Sequence, residues 1–138
     1  MSDKVALVKR LFEAVRAWDV ETLLALYHPE VELMPLTGTR VETGGYRGHA
    51  GVRAYAEEAR DLWEVLEPVG EDFTDLGDKV LVVGRCRVRG RVSGAESNPV
   101  CAWVVGVRDE RVVSLRACES HDEALRVAGV TPVRDPAG

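Results

Sequence analysis

The amino-acid sequence predicts an α+β domain in which helices cover one face of a curved, mixed but mainly antiparallel sheet. Apolar residues recur at helical spacing through much of the first half of the chain, which indicates amphipathic helices. The second half consists instead of strand-like runs separated by turn residues. Helices followed by a series of strands are typical of α+β domains, because both kinds of element must bury an apolar side. Helices over a curved sheet enclose a cone-shaped cavity.

Two helices and a short strand are expected at the N-terminal end. Residues 3–17 repeat apolar side chains every three or four positions, as an amphipathic helix does. Asp19 is a favoured N-cap for a second, shorter helix. We expect that helix to end at His28 and Pro29, because a residue before proline avoids helical backbone angles. A short strand at residues 31–34 then follows.

The clearest helix follows a glycine-rich loop. Residues 35–48 contain four glycines and a proline, so we expect a loop there, with a short strand at residues 40–42. Apolar residues then recur at helical intervals from Val52 to Leu66, with charged residues on the other side. We expect this third helix to end at Pro68.

The rest of the chain is expected to form strands and one short helix. The predicted strands are residues 69–76, 79–92, 100–108 and 111–120. The third of these runs is apolar on both faces, which is typical of a central strand. Asp109 and Glu110 form the turn of a hairpin. A last helix, residues 122–128, ends at Gly129, and the tail 131–138 is expected to be loose.

Composition restricts the classes of function. The 138 residues fit one domain, residues 1–130, and the net charge of −5 with a pI near 5.2 argues against a nucleic-acid partner. No apolar stretch approaches the roughly 20 residues that span a membrane. The three cysteines have no CxxC spacing and are expected to be reduced core residues, so we predict a cytoplasmic protein.

The last predicted strand suggests a candidate acid. Val113, Leu115 and Ala117 occupy every second position, and Glu119 is next in that register. If the strand continues, this carboxylate shares a face with apolar neighbours, where desolvation suits it to proton transfer near neutral pH. The alternative is that the strand ends there and Glu119 lies at a wet rim.

Five phrases of the sequence, in order, are similar to those of SnoaL-like proteins in the NTF2-like superfamily. They are residues 17–23, 27–32, 46–53, 89–94 and 123–129. The resemblance spans residues 4–130 and implies a helix-lined cone over a curved mixed sheet. It also implies a homodimer formed through the outer face of that sheet. Arg85, Arg87, Arg89 and Arg91 share one strand face, which we expect to be solvated or to form this dimer contact.

The resemblance allows individual activities to be compared residue by residue. At the positions that match the base and the acidic donor of ketosteroid isomerases, this chain has Met34 and Trp103, so steroid isomerase chemistry is not expected. Epoxide hydrolases need an arginine and an aspartate two positions apart. The most similar segment here is Arg85-Cys86-Arg87, in which the aspartate is missing. Polyketide cyclases use an acid on the final strand, a role that Glu119 fits, but the strand before it has no histidine.

We therefore predict a SnoaL-like protein that binds a small hydrophobic molecule in its cone. The predicted lining residues are Trp18, Met34, Tyr55, Trp63, Cys101, Trp103 and Leu115. Isomerase- or cyclase-type proton transfer without a cofactor is one outcome, and a non-catalytic binding or interaction module is the alternative. Glu119, Glu32 and Tyr46 are the candidate catalytic residues, with Tyr46 in a loop that lids the cone. No histidine and acid have metal-ligand spacing, so no metal is expected.

Overall fold

A computed structural model describes residues 3–36 and 43–130 of the chain. The helices are α1 (Asp3–Arg16), α2 (Val20–Leu26), α3 (Gly48–Leu62) and α4 (His121–Ala128). The strands are β1 (Tyr27–Met34), β2 (Tyr46–Arg47), β3 (Trp63–Asp75), β4 (Lys79–Gly90), β5 (Glu96–Ser97), β6 (Val100–Arg108) and β7 (Arg111–Cys118). The strand predicted at residues 40–42 and the loose tail at 131–138 lie outside the described residues.

The strands form one open, curved, mixed sheet in the order β2-β1-β7-β6-β4-β3, with β5 pairing to β4. Only the β1–β7 pair is parallel among these described strands, so the predicted α+β class with a mainly antiparallel sheet is confirmed. The predicted hairpin between β6 and β7 turns at Asp109 and Glu110, both of which have positive φ, as a type I′ turn requires.

Side-chain caps fix the starts of two helices, and the first of these caps, Asp19, is the one that the sequence predicts. Asp19 accepts a 3.2 Å hydrogen bond from the backbone N–H of Thr22 at the start of α2. Ser120 caps α4 in the same way, accepting from the N–H of Glu123 at 3.1 Å. Gly129 ends α4 with a φ of 78°, the left-handed conformation that glycine adopts without steric cost.

The third helix is shorter than predicted, because it ends at Leu62 and a long strand begins at Trp63. The strand β3 carries a register shift between Trp63 and Val65, so Trp63 and Leu66 face the same side although they are three positions apart. A bulge thus reproduces helical spacing within a strand. Pro68 lies inside β3 and does not end a helix, because an edge strand needs no donor on its open side.

The strand β1 is longer than predicted and begins at Tyr27, before Pro29. Its pairing with β7 shifts register between Tyr27 and Glu32, which accommodates the proline. The neighbouring strand β7 stops at Cys118, two residues earlier than expected. Tyr46 forms part of the short strand β2, where a loop was expected.

Helices cover both faces of the sheet, but unequally. The first three helices pack on the inner face over a large core that includes Phe12, Val82, Trp103 and Val105. The fourth helix packs on the outer face of β4, β6 and β7, over a smaller core around Val104. The outer face is therefore partly covered by the chain itself.

Candidate functional site

A cavity of about 410 Å³ lies between the helices α1 and α3 and the inner face of the sheet. Its lining is predominantly apolar. The lining residues are Phe12, Val15, Tyr27, Leu33, Pro35, Leu36, Tyr55, Trp63, Leu66, Pro68, Cys86, Val88, Pro99, Val100, Cys101, Trp103, Leu115, Ala117 and Glu119. Leu36, Pro99, Val100 and Glu119 are exposed and mark its mouth, whereas Tyr27 and Trp103 are buried deep inside.

Strand alternation places the central wall of this cavity. Ala117 on β7 lies opposite Trp103 on β6, and Leu115 lies opposite Val105 two positions further. Because side chains alternate between faces, all four point to the inner side of the sheet. Phe12 from α1 closes this wall from above, its ring centroid 4.9 Å from that of Trp103 in an edge-to-face contact.

Five of the predicted lining residues lie in the cavity wall. They are Tyr55, Trp63, Cys101, Trp103 and Leu115. The structure adds residues that the sequence did not single out on β3 and β4, among them Leu66, Pro68 and Cys86. The bulge in β3 gives Trp63 and Leu66 helical spacing within a strand, so the sequence predicts a helix as far as Pro68 and no cavity wall there. That any of these residues contacts a ligand stays a prediction.

Two tyrosines supply the polar groups deep in the cavity. Tyr27 begins β1, and Tyr55 lies in the middle of α3. Burial raises the pKa of both phenols well above their ordinary value of 10.0, and the proximity of Tyr55 adds to the shift at Tyr27. Both hydroxyls therefore stay protonated at physiological pH and can donate hydrogen bonds.

Two thiols line the same cavity on neighbouring strands. Burial raises the pKa of Cys86 from 9.0 to about 11 and that of Cys101 to about 12. The Cys101 thiol donates a 3.4 Å hydrogen bond to the backbone carbonyl of Cys118. Both groups are therefore neutral, weakly polar parts of the wall at neutral pH.

Glu119 lies at the mouth of the cavity. It follows Leu115 and Ala117 on the inner side and contributes to the lining, as the period-two pattern predicts. However, β7 has ended one residue earlier, and the Glu119 side chain is exposed. The backbone N–H of Glu119 donates a 2.9 Å hydrogen bond to the carboxylate of Glu123. Glu119 therefore lies on the predicted face of the sheet, and its side chain is exposed to solvent at the rim of the cavity. Its catalytic role stays a prediction.

Glu32 and Met34 lie on the opposite side of β1 from the cavity. Val31 and Leu33 are the buried residues of this strand, so the side chains that alternate with them face outward. The carboxylate of Glu32 pairs with the guanidinium of Arg47 at 3.6 Å on the protein surface. The expectation that Glu32 and Met34 point into the cone was wrong.

Tyr46 and Trp18 also lie outside the cavity lining. Tyr46 is fully buried in β2, its hydroxyl donates to the carboxylate of Glu58, and its ring meets that of Tyr55 edge-on with centroids 5.2 Å apart. It supports a lining residue and is not part of a lid. Trp18 has a φ of 53°, and its carbonyl accepts a 3.1 Å hydrogen bond from Arg60, whose guanidinium lies over the indole ring.

The row of arginines on β4 lies outside the cavity. Arg87 pairs with Glu67 at 3.0 Å, and Arg89 pairs with a carboxylate of β5. Arg85 and Arg91 donate to backbone carbonyl groups instead. Each of the four arginines thus has a hydrogen-bond or ion-pair partner on the protein, and none of them lines the cavity.

Within residues 3–36 and 43–130, no cluster of three or more histidine, cysteine or acidic side chains has the geometry to hold a metal ion. Among the helices in those same ranges, none combines the length and the apolar character needed to cross a bilayer.

Comparisons with known proteins agree with this architecture. The sequence profile of the SnoaL-like domain matches residues 8–115. No curated protein has a sequence that matches the chain significantly.

Several solved structures share the fold. An NTF2-like protein of unknown function from Burkholderia pseudomallei is 23% identical, with a TM-score of 0.77 over 91% of this chain and 97% of that one. An NTF2-like protein from Burkholderia xenovorans is 26% identical, with a TM-score of 0.71 over 90% and 94% of the two chains. A protein described as a SnoaL-like polyketide cyclase, from Shewanella putrefaciens, is 15% identical, with a TM-score of 0.69 over 92% and 98%.

Proposed function

The chain belongs to the family of SnoaL-like domains, and from this premise we propose that its cavity binds a small, largely hydrophobic molecule. The observation that carries the proposal is an apolar cavity of about 410 Å³ with few polar groups. Ligand sites in proteins are typically concave and apolar, with volumes of about 300–1,000 Å³ and a few placed polar groups. Burial of apolar ligand surface supplies the affinity.

Filling the cavity tests this proposal. N-phenyl-1-naphthylamine is a neutral apolar probe whose fluorescence rises when it leaves water. We expect saturable binding to the wild-type protein and at least tenfold weaker binding to Ala117→Trp, because an indole there occupies the space beside Trp103. Val92→Trp is the matched control, since Val92 is 99% exposed. Unchanged binding by a folded Ala117→Trp variant, checked by circular dichroism, would contradict binding in this cavity.

The second candidate function is proton transfer next to a carbonyl, with Glu119 as the acid–base group. The position of Glu119 favours it, because this carboxylate borders the mouth on the same side as Leu115 and Ala117. A positioned acid or base typically accelerates proton transfer by about 10²–10⁴-fold. No cofactor is required for this chemistry, which would be of the isomerase or cyclase type. The alternative, a non-catalytic binding module, needs only the cavity.

Deuterium exchange distinguishes catalysis from binding alone. The probe is 2,6-diacetylnaphthalene, an apolar molecule with a methyl ketone at each end, so that one ketone reaches the mouth in either orientation. A catalyst accelerates exchange of the methyl protons in D₂O, followed by NMR. We expect Glu119→Gln to remove at least 99% of the acceleration without weakening binding. Glu13→Gln, on the exposed side of α1, is the control. Exchange at the buffer rate with wild-type protein would favour the binding module.

A further inference from the structure

We propose that the inner end of the cavity is a carbonyl site, in which the hydroxyls of Tyr27 and Tyr55 together hold the carbonyl oxygen of a neutral ligand. This inference rests on the proposed binding function and narrows the ligand to a chemical class: neutral, mainly apolar ketones, quinones and related carbonyl compounds, entering with the carbonyl first.

The two hydroxyls have no hydrogen-bond partner in the described ranges, and both tyrosines line the cavity. Tyr27 is 4% exposed, and neither of the two phenol oxygens is hydrogen-bonded to a residue of the described ranges. In those ranges no fully buried polar side-chain atom lacks a partner, so both oxygens must retain some accessible surface. Both residues line the cavity, which supplies that surface. An apolar ligand that covered them would leave two buried polar groups without a hydrogen bond, which is unfavourable.

A carbonyl oxygen satisfies such a pair better than a single-acceptor group does. It has two lone pairs and accepts two hydrogen bonds near the plane of the carbonyl group. Because burial keeps both phenols protonated, each supplies an O–H donor. The carbonyl thereby gains both bonds in an apolar surrounding, where hydrogen bonds are stronger than in water.

The charge of the lining selects against anions. Within the described part of the chain, no lysine, arginine or histidine lines this cavity, and its one charged residue is Glu119 at the mouth. A carboxylate drawn inside would lose its hydration without gaining a cation and would pass an acid of like charge. A neutral carbonyl suffers neither penalty.

Contacts outside the cavity hold both tyrosines in place. His49 at the start of α3 donates from Nε2 to the backbone carbonyl of Tyr27 at 3.0 Å, which joins the two elements that carry the pair. The ring of Tyr46 packs edge-on against that of Tyr55, with the centroids 5.2 Å apart. The donors are therefore preorganised, which reduces the entropy lost on binding.

The test compares three ligands of one shape. They are 2-acetylnaphthalene, its isostere 2-isopropenylnaphthalene without an acceptor, and the anion 2-naphthoate. Binding is followed by the NMR signals of the indole N–H groups, since Trp63 and Trp103 line the cavity and Trp18 does not. We expect the ketone to bind about tenfold more tightly than the hydrocarbon, and the carboxylate to bind at least tenfold more weakly than the ketone at pH 7.

Phenylalanine variants assign that preference. Tyr27→Phe and Tyr55→Phe should each weaken ketone binding about fivefold and leave hydrocarbon binding unchanged or tighter, because each removes one donor and one stranded hydroxyl. Tyr46→Phe, which removes a hydroxyl directed at Glu58, should leave the ketone-to-hydrocarbon ratio unchanged. The three folded variants differ by one oxygen atom each, so a general loss of packing affects both ligands alike.

The outcomes separate this inference from the function on which it rests. Equal affinities for ketone and hydrocarbon in the wild-type protein overturn the carbonyl site and leave hydrophobic binding intact. A ketone preference that survives in both Tyr27→Phe and Tyr55→Phe also overturns it. Failure of all three ligands and of N-phenyl-1-naphthylamine contradicts the proposed binding function itself.

Discussion

Cys86 offers a quantitative test of how strongly the cavity is shielded from water. Burial raises the pKa of its thiol from 9.0 to about 11. Only the thiolate is alkylated, and at pH 8 about one thiol in ten is ionised at the lower value but about one in a thousand at the higher. Iodoacetamide should therefore modify Cys86 about a hundredfold more slowly in the folded protein than in the unfolded chain. Cys101, with a pKa of about 12, should be slower still.

The assay follows alkylation by peptide mass spectrometry between pH 7 and 10. The rate at Cys86 should rise about tenfold for each pH unit across the whole range, because the thiol stays mostly protonated. The same chain in urea provides the reference, in which all three cysteines should react as ordinary thiols. Alkylation of Cys86 in the folded protein at the reference rate at pH 8, or a plateau near pH 9, would refute the shielded cavity.

Three further predictions concern stability and assembly. Glu110→Gly should raise the free energy of unfolding by about 0.5–1 kcal/mol in urea titrations, because Glu110 has a φ of 61° that favours glycine; no gain would count against the type I′ turn. Arg16→Met should lower the free energy of unfolding by about 1–2 kcal/mol, because it removes the 2.7 Å hydrogen bond from Arg16 to the backbone carbonyl of Pro68. Arg10→Met, at an exposed position of the same helix, is the control and should leave the free energy of unfolding unchanged. We also propose a homodimer formed through the part of the outer sheet face that α4 leaves uncovered, near the arginines of β4. Light scattering that shows a monomer at all concentrations would exclude this dimer.

The parts of the site that the sequence predicted correctly depend on uninterrupted local patterns. Alternation along β6, and along β7 beyond the register shift at Val113, placed Trp103, Leu115 and Glu119 on one face. The cap residue Asp19 marked the start of α2. These patterns depend only on residues a few positions apart in the sequence, so contacts between distant parts of the chain do not alter them. Glu119 contributes to the cavity lining together with Leu115 and Ala117, as that alternation predicts.

The errors have two separate physical causes. Trp63 and Leu66 are spaced like helical residues, but a bulge sets that spacing within a strand, and pairing with β4 decides the outcome. The resemblance to isomerases predicts Met34 in the cavity, and Glu32 shares the strand face of Met34. The alternation of Val31 and Leu33 indicates instead that these two apolar residues face the core and that Glu32 and Met34 face outward. The structure follows this local pattern.

The distribution of charge in the cavity separates binding from chemistry. Among the described residues that line it, the deep groups are neutral at physiological pH, and the one charge, Glu119, lies at the mouth. Glu119 can therefore act only on the part of a ligand that stays at the mouth, while Tyr27 and Tyr55 meet the part that enters first. Changes at the two ends should then be additive in free energy, because the sites share no contact. The Tyr55→Phe/Glu119→Gln double variant tests this additivity. Its changes in exchange rate and in ketone affinity, expressed as free energies, should each equal the sum of the changes in the two single variants. A deviation of more than about 0.5 kcal/mol would show instead that both ends act on the same group of the ligand.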